Sequence, residues 1–218
     1  MDISKLKDAL AFIERETHLR TKSYRMLSDG VQGEFLQAFS LMLRPRAVLE
    51  IGTFTGYATL CLARGLQENG IVDTIEKDDE MTDIFTRAFG MAGMLSDGSI
   101  RCHSGDALNI IPTLPGPYDI VYIDADKRLY HKFYDMVFDK VRPGGYILAD
   151  NVLWSGKTTL DAPPADRQTS AILDFNHTVS ADLRVETAVI PVRDGLAVIH
   201  KKGSDRHRAG DPNLTVFS

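Results

Sequence analysis

Three short apolar runs in this chain each stop in polar residues that could do chemistry. Tyr118–Lys127 ends in Asp124, Asp126 and Lys127. Gly144–Asn151 ends in Asp150 and Asn151. Ala47–Tyr57 carries Glu50 and then a turn bounded by Gly52 and Gly56. In an open parallel sheet, ligands collect outside the carboxyl ends of the strands. The three ends therefore read as one site: a glycine loop for a nucleotide-like cofactor, an oxygen-rich metal site, and a lysine beside it.

Glycines in such a loop let backbone approach a ligand closely. The spacing is not the three-glycine dinucleotide fingerprint, and no P-loop Lys-Ser/Thr follows. Glu50, an acid inside the turn, would repel a pyrophosphate and accept a cationic ligand. That favours S-adenosylmethionine, with its sulfonium and ammonium, over NAD. The next strand ends in Glu76, where an acid typically bonds ribose hydroxyls. Gly105-Asp106-Ala107 follows the third strand. Asp106 can meet an adenine amino group, cap a helix, or do both. Asp126 can serve the same ligand or pair with Lys127 or Arg128.

The elements that must hold these ends alternate. Helices are expected over Ile3–Arg15 and Gln32–Leu43, the second stopped by Pro45. Strands are expected over Ala47–Ile51, Gly70–Ile75, Ser99–His103, Tyr118–Ile123 and Tyr146–Ala149. Helices between them span Gly56–Gln67, Asp79–Ala92, Asp106–Ile111 and Leu129–Val141. This alternation means crossover units and a parallel sheet. Trp154–Arg167 reads as a loop and Arg167–Ser180 as a helix. Leu183–Ile190 and Gly195–His200 flank an Asp-Gly turn signal and are expected to form a hairpin. The tail from Lys202 to Ser218 is polar, a composition that predicts disorder.

The chain has 218 residues, 44% of them hydrophobic, which suits one large α/β domain. A net charge of −5 argues against a dedicated nucleic-acid binder. No run is long enough to span a bilayer and no signal-peptide pattern is present, so the cytoplasm is the expected compartment. Cys61 and Cys102 both lie in apolar-patterned segments and read as buried thiols. His103, His131 and His177 show no ligand spacing and read as structural or surface residues.

With these residues in hand, the chain resembles the cation-dependent class I O-methyltransferases, which include caffeoyl-CoA and catechol O-methyltransferases and short bacterial relatives. The resemblance runs from about Met26 to Lys201. It rests on the segments Leu49–Tyr57, Tyr122–Lys127, Arg142–Gly145, Ala149–Trp154 and Asp194–Ala197. It implies a Rossmann-like α/β fold with a seven-stranded, mostly parallel sheet, the last strand inserting antiparallel beside the fifth and helices on both faces. A single methyltransferase domain over 1–201, followed by a tail over 202–218, is expected. The implied methyl donor is S-adenosylmethionine, and the implied metal is a divalent ion, usually Mg²⁺, with Mn²⁺ or Ca²⁺ as alternatives. Carried over by position, the metal ligands match Asp124, Asp150 and Asn151. Donor-site positions match Ser28, Glu50, Gly52, Phe54, Glu76, Asp106, Ala107, Asp124 and Asp126. Lys127 matches the catalytic lysine, acting beside Asp124. Met26, Lys127, Asn151 and Trp154 match acceptor contacts. One departure is Ala58, where a serine usually stands; a hydrogen bond near the donor carboxylate is lost, worth about 1 kcal/mol. In the plant enzymes an N-terminal extension helps hold the CoA tail, so the resemblance with a short N-terminus weakens the case for a CoA ester as acceptor. A homodimer is implied, with the N-terminal helix and the tail as its contact surfaces.

The donor set explains the chemistry. Asp124, Asp150 and Asn151 offer only oxygens, which suit a hard cation rather than Zn²⁺. Three protein oxygens leave room on an octahedral ion for a vicinal aromatic diol and a water. The cation would orient the ring and lower a phenol pKa of about 10. Lys127 would take the proton or stabilise the phenolate, and a lysine near a cation is expected to have a lowered pKa. The expected acceptor is a catechol-type small molecule such as caffeate or a flavonoid. The alternative is a tRNA hydroxyuridine O-methyltransferase of the same fold. Acidic balance and Trp154 favour the small molecule, and Arg20, Lys22, Arg25, Arg206 and Arg208 read as scattered surface cations.

Overall fold

The chain was analysed as a computed structural model that describes residues 2–28, 30–161 and 163–203. The expectation for the tail, with Arg206 and Arg208, lies outside the described residues. Seven strands form one sheet: β1 Ala47–Ile51, β2 Ile71–Glu76, β3 Ile100–Ser104, β4 Tyr118–Ile123, β5 Val141–Asp150, β6 Val185–Ile190 and β7 Leu196–Lys201. Their order is β3-β2-β1-β4-β5-β7-β6. The central pairs are parallel, and β7 inserts antiparallel between β5 and β6. The hairpin expected around Arg193–Gly195 is therefore present, as is the last strand beside the fifth.

Helices α1 Ile3–Arg20, α2 Gly30–Leu43, α3 Tyr57–Ala63, α4 Thr82–Met91, α5 Ala107–Ile110, α6 Tyr130–Phe138 and α7 Arg167–Ala181 complete the fold. The period-2 alternation of the strands divides the core. Val48, Val72, Ile120 and Leu148 pack with α1 to α4. Leu49, Ile75, Val121, Ile123 and Ile147 pack with α6 and α7. Among the described residues no helix is long and apolar enough to cross a membrane.

Four departures from expectation have identifiable causes. Helix α1 runs on to Arg20, whose guanidinium meets Asp83 of α4 at 2.5 Å. Helix α3 stops at Ala63 because Ser40 of α2 ends it: the Ser40 hydroxyl donates to the Leu62 carbonyl and accepts from the Gly65 amide at 3.2 Å. A Cβ on Gly65 would lie 2.1 Å from Ser40 backbone, so only glycine permits that approach. Helix α6 ends at Phe138 and Val141 already belongs to β5, whose pairing with β4 shifts register across the Pro143-Gly144-Gly145 segment. Cys61 is buried as expected, but Cys102 is exposed on the edge strand β3.

Candidate active site

The loop after β1 is built around Gly52, at φ 101, where an added Cβ would sit 2.0 Å from the Asp124 carbonyl oxygen. The end of β1 is thereby pressed against the end of β4. The Gly52 amide donates to Ile75 at 2.9 Å and the Asp124 amide to Ile51 at 3.0 Å, so β2, β1 and β4 close on one point.

A cleft of about 390 Å³ opens there, lined among others by Gly52, Phe54, Glu76, Asp106, Ala107, Asp124 and Asp126. Most of the expected donor-site residues thus meet. Ser28, which is buried, lies in an adjoining cavity of about 20 Å³ with Gly52, Phe54 and Ala58. Glu76 is turned onto backbone: its two oxygens accept from the amides of Phe54, at 2.6 Å, and of Lys77 and Asp78, at 2.8 and 2.9 Å. Asp106 caps α5 through the Leu108 amide at 2.9 Å while also lining the cleft, so both of its expected roles remain open to it. Asp126 pairs with Arg128, whose guanidinium hydrogen bonds hold its carboxyl below the usual range.

Glu50 lines neither this cleft nor the adjoining cavity. It is fully buried beneath the loop. One oxygen accepts from Thr59 and Thr74; the other is buried without a partner among the described residues. Burial pushes its carboxyl up to about 8, against the hydrogen bonds from the two threonines. Between its ordinary value of 4.5 and about 8, the folded chain keeps a proton the unfolded chain has lost. Its contribution to stability therefore falls as pH rises through that window. Glu50→Gln should flatten the decline in Tm over this range; an unaltered slope in thermal melts would refute the assignment.

A second cleft, of about 500 Å³, lies at the ends of β4 and β5 and contains Asp124, Lys127, Asp150, Asn151 and Trp154. Register pairs Ile123 with Ala149, which sets Asp124 beside Asp150. Burial, then the nearby Asp124 charge, raises the Asp150 carboxyl to about 6. Its oxygens accept from the Gln32 side chain at 2.7 Å and from the Asn151 amide at 2.8 Å. Asn151 adopts φ 59, a left-handed conformation that asparagine tolerates. Among the described residues no three His, Cys, Asp or Glu side chains form a metal cluster. A cation would rest on two carboxylates and the Asn151 amide oxygen. An all-oxygen set with two crowded acids, one of them buried, fits a hard divalent ion.

Lys127 is 7% exposed, and its ammonium sits 2.9 Å from Asp124 Oδ1 and 2.5 Å from the Tyr130 hydroxyl. Burial opposes the charge, but Tyr130 and Asp124 outweigh it and hold the ammonium above the ordinary lysine range. The lowering expected beside a cation is a separate effect from this raising, which comes from an anion and a phenol. Trp154 lies half-buried on the cleft wall at φ 48, and its indole nitrogen is buried without a partner among the described residues. Met26 lines both clefts and the small cavity.

Two residues of this region were not singled out in the sequence. Gln32 stands at 1% exposure on the inner face of α2 and reaches Asp150 and the Tyr122 hydroxyl, the latter at 3.0 Å. Tyr130 is three residues past Lys127 and lies within 3.0 Å of the Asp150 carbonyl oxygen. A long polar side chain on the buried, mostly apolar face of α2 was the available signal for Gln32.

A sheet of this order, with a glycine loop, an acid after the second strand and a cleft at its carboxyl edge, defines a class I methyltransferase. A sequence profile of the O-methyltransferase family matches residues 2–202. The chain is 33% identical over 176 residues to a catechol O-methyltransferase of Niastella koreensis, covering 77% of this chain and 78% of that one. It is 27% identical over 187 residues to caffeoyl-CoA O-methyltransferase 2 of Populus trichocarpa, covering 81% and 75%. The O-methyltransferase TomG of Streptomyces achromogenes, involved in tomaymycin synthesis and solved with S-adenosylmethionine, superposes with a TM-score of 0.79 at 27% identity over 93% of this chain and 92% of that one. The chain belongs to this O-methyltransferase family and is an S-adenosylmethionine-dependent enzyme.

Proposed function

We propose that the enzyme transfers a methyl group from S-adenosylmethionine to one hydroxyl of a catechol-type small molecule, with a divalent cation held by Asp124, Asp150 and Asn151. The observation that carries this reading is that Asp124 and Met26 line both clefts, so donor and acceptor would meet at the end of β4. The N. koreensis relative is named for catechol, and that acceptor class is carried to this chain as a proposal.

The first cleft takes the donor, with Gly52 and Phe54 at the loop and Glu76, Asp106 and Ala107 at its far side. A divalent cation, when bound, would lower the acceptor hydroxyl's pKa and favour a bidentate diol. Lys127, held between Asp124 and Tyr130, stabilises the acceptor oxygen while the hydroxyl proton passes to water. Trp154 and Met26 hold the ring so that sulfur, methyl and oxygen align.

A panel assay with labelled donor tests the substrate class. Catechol, caffeate and a catechol flavonoid should be methylated, and monophenols such as 4-coumarate at least about 10-fold more slowly. Equal rates for 4-coumarate and caffeate would contradict the diol requirement. Label entering bulk tRNA but no catechol would replace the small-molecule reading with the tRNA one. The homodimer belongs to the same proposal, and light scattering at micromolar concentration decides it.

A further inference from the structure

We infer that Arg193 is a positioning residue, which pins the segment Arg25–Leu27 so that Met26 forms the wall shared by the donor and acceptor clefts. The inference rests on the reading of the second cleft as the acceptor site.

Arg193 sits in the turn between β6 and β7 at φ 49, a conformation that favours glycine. Such strain persists where surrounding structure holds it and where the side chain has a use. The use is visible. One guanidinium nitrogen donates to the Arg25 carbonyl at 2.6 Å, and another donates to the Leu27 carbonyl. These two carbonyls flank Met26, more than 160 residues away in sequence. Met26 is 61% exposed, so core packing does not fix it; its neighbour Leu27 is buried at 1%. Yet Met26 lines both clefts and the small cavity.

The same turn also holds the segment around Trp154, another lining residue of the second cleft. Asp194 accepts the Leu153 amide at 2.9 Å through its backbone and the Ser155 amide at 2.5 Å through its side chain. Leu153 and Ser155 flank Trp154. A single turn thus grips the residues on either side of Met26 and the residues on either side of Trp154. The planar fork of an arginine can bridge two carbonyls, whereas a lysine ammonium acts as a point donor.

The test compares Arg193→Gly, which suits the turn's φ but removes the clasp, with Arg193→Lys and Met26→Ala. Hydrogen exchange at amides 24–28, donor affinity by calorimetry, and acceptor KM and kcat are measured for each. For Arg193→Gly, exchange at 24–28 should quicken at least about 10-fold, the scale of losing charge-assisted hydrogen bonds. Acceptor KM should rise about 10-fold, with kcat altered much less. Arg193→Lys should lie between Arg193→Gly and the wild type in both. Met26→Ala should raise KM without quickening exchange. Unchanged exchange at 24–28 in Arg193→Gly overturns the clasp. Quickened exchange with unchanged acceptor KM makes Arg193 a structural staple only and overturns the positioning role. If the wild type methylates no catechol, the acceptor reading has failed separately; the clasp is then judged by exchange together with a several-fold loss of donor affinity, and is overturned if either is absent.

Discussion

Lys127→Met is expected to lower kcat by about 10²–10⁴-fold while leaving donor binding in place, the range typical of a positioned proton-handling or charge-stabilising group. The side chain is buried between Asp124 and Tyr130 and lines the acceptor cleft, so its ammonium is fixed there. Methionine fills similar volume without charge. Asp124, at 23% side-chain exposure, then turns to solvent for its lost partner, so the fold should survive. Calorimetry for S-adenosylmethionine beside kcat at saturating catechol separates the two effects. Near-normal kcat would show that the acceptor oxygen is stabilised by some other group.

Gly52→Ala should be the most damaging single substitution in the donor loop. The new Cβ would fall 2.0 Å from the Asp124 carbonyl oxygen and 2.9 Å from its carbon, at a φ of 101. Both neighbours are backbone, so neither can swing aside. Overpacking and backbone strain each cost about 1–3 kcal/mol, giving about 2–6 kcal/mol together. That is a large share of a domain stability of about 5–15 kcal/mol. The expected outcome is a sharply lowered Tm and no measurable donor binding. Gly93→Ala is the control: φ is 79 but nothing lies within 4 Å of the new Cβ. It should cost only the left-handed strain, about 1–2 kcal/mol. Equal melting temperatures for the two variants would contradict the close approach of β1 and β4.

What could be read from the sequence was whatever depends on local pattern. The apolar runs ending in Asp124, Asp150 and Gly52 marked the sheet's carboxyl edge, and the alternation of strand and helix gave the layers. The hairpin of β7 with β6 came from the Asp-Gly turn signal, and the place of β7 beside β5 from the resemblance. What could not be read depends on groups distant in the chain or on side-chain direction. Gly65 was the local stop signal within Gly56–Gln67, but its partner Ser40 belongs to another helix and could not be read from that segment. Gln32 reaches Asp150 across 118 residues. Cys102 sits in an alternating strand, but that strand is an edge, and its outward residues meet solvent. The direction of the Lys127 shift turned on Tyr130, whose nearness in sequence did not show that its hydroxyl would face the ammonium. Glu50 was read as an acid inside the turn; it lies within β1, which is buried on both faces, and is itself fully buried.

Metal dependence tests the central claim most directly. Methyl transfer from labelled S-adenosylmethionine to a catechol is measured in chelator and again after Mg²⁺ or Mn²⁺ is restored. The account predicts that product formation disappears in chelator and returns with either ion, because Asp124, Asp150 and Asn151 offer only oxygens to a hard cation. Full turnover in chelator would contradict it.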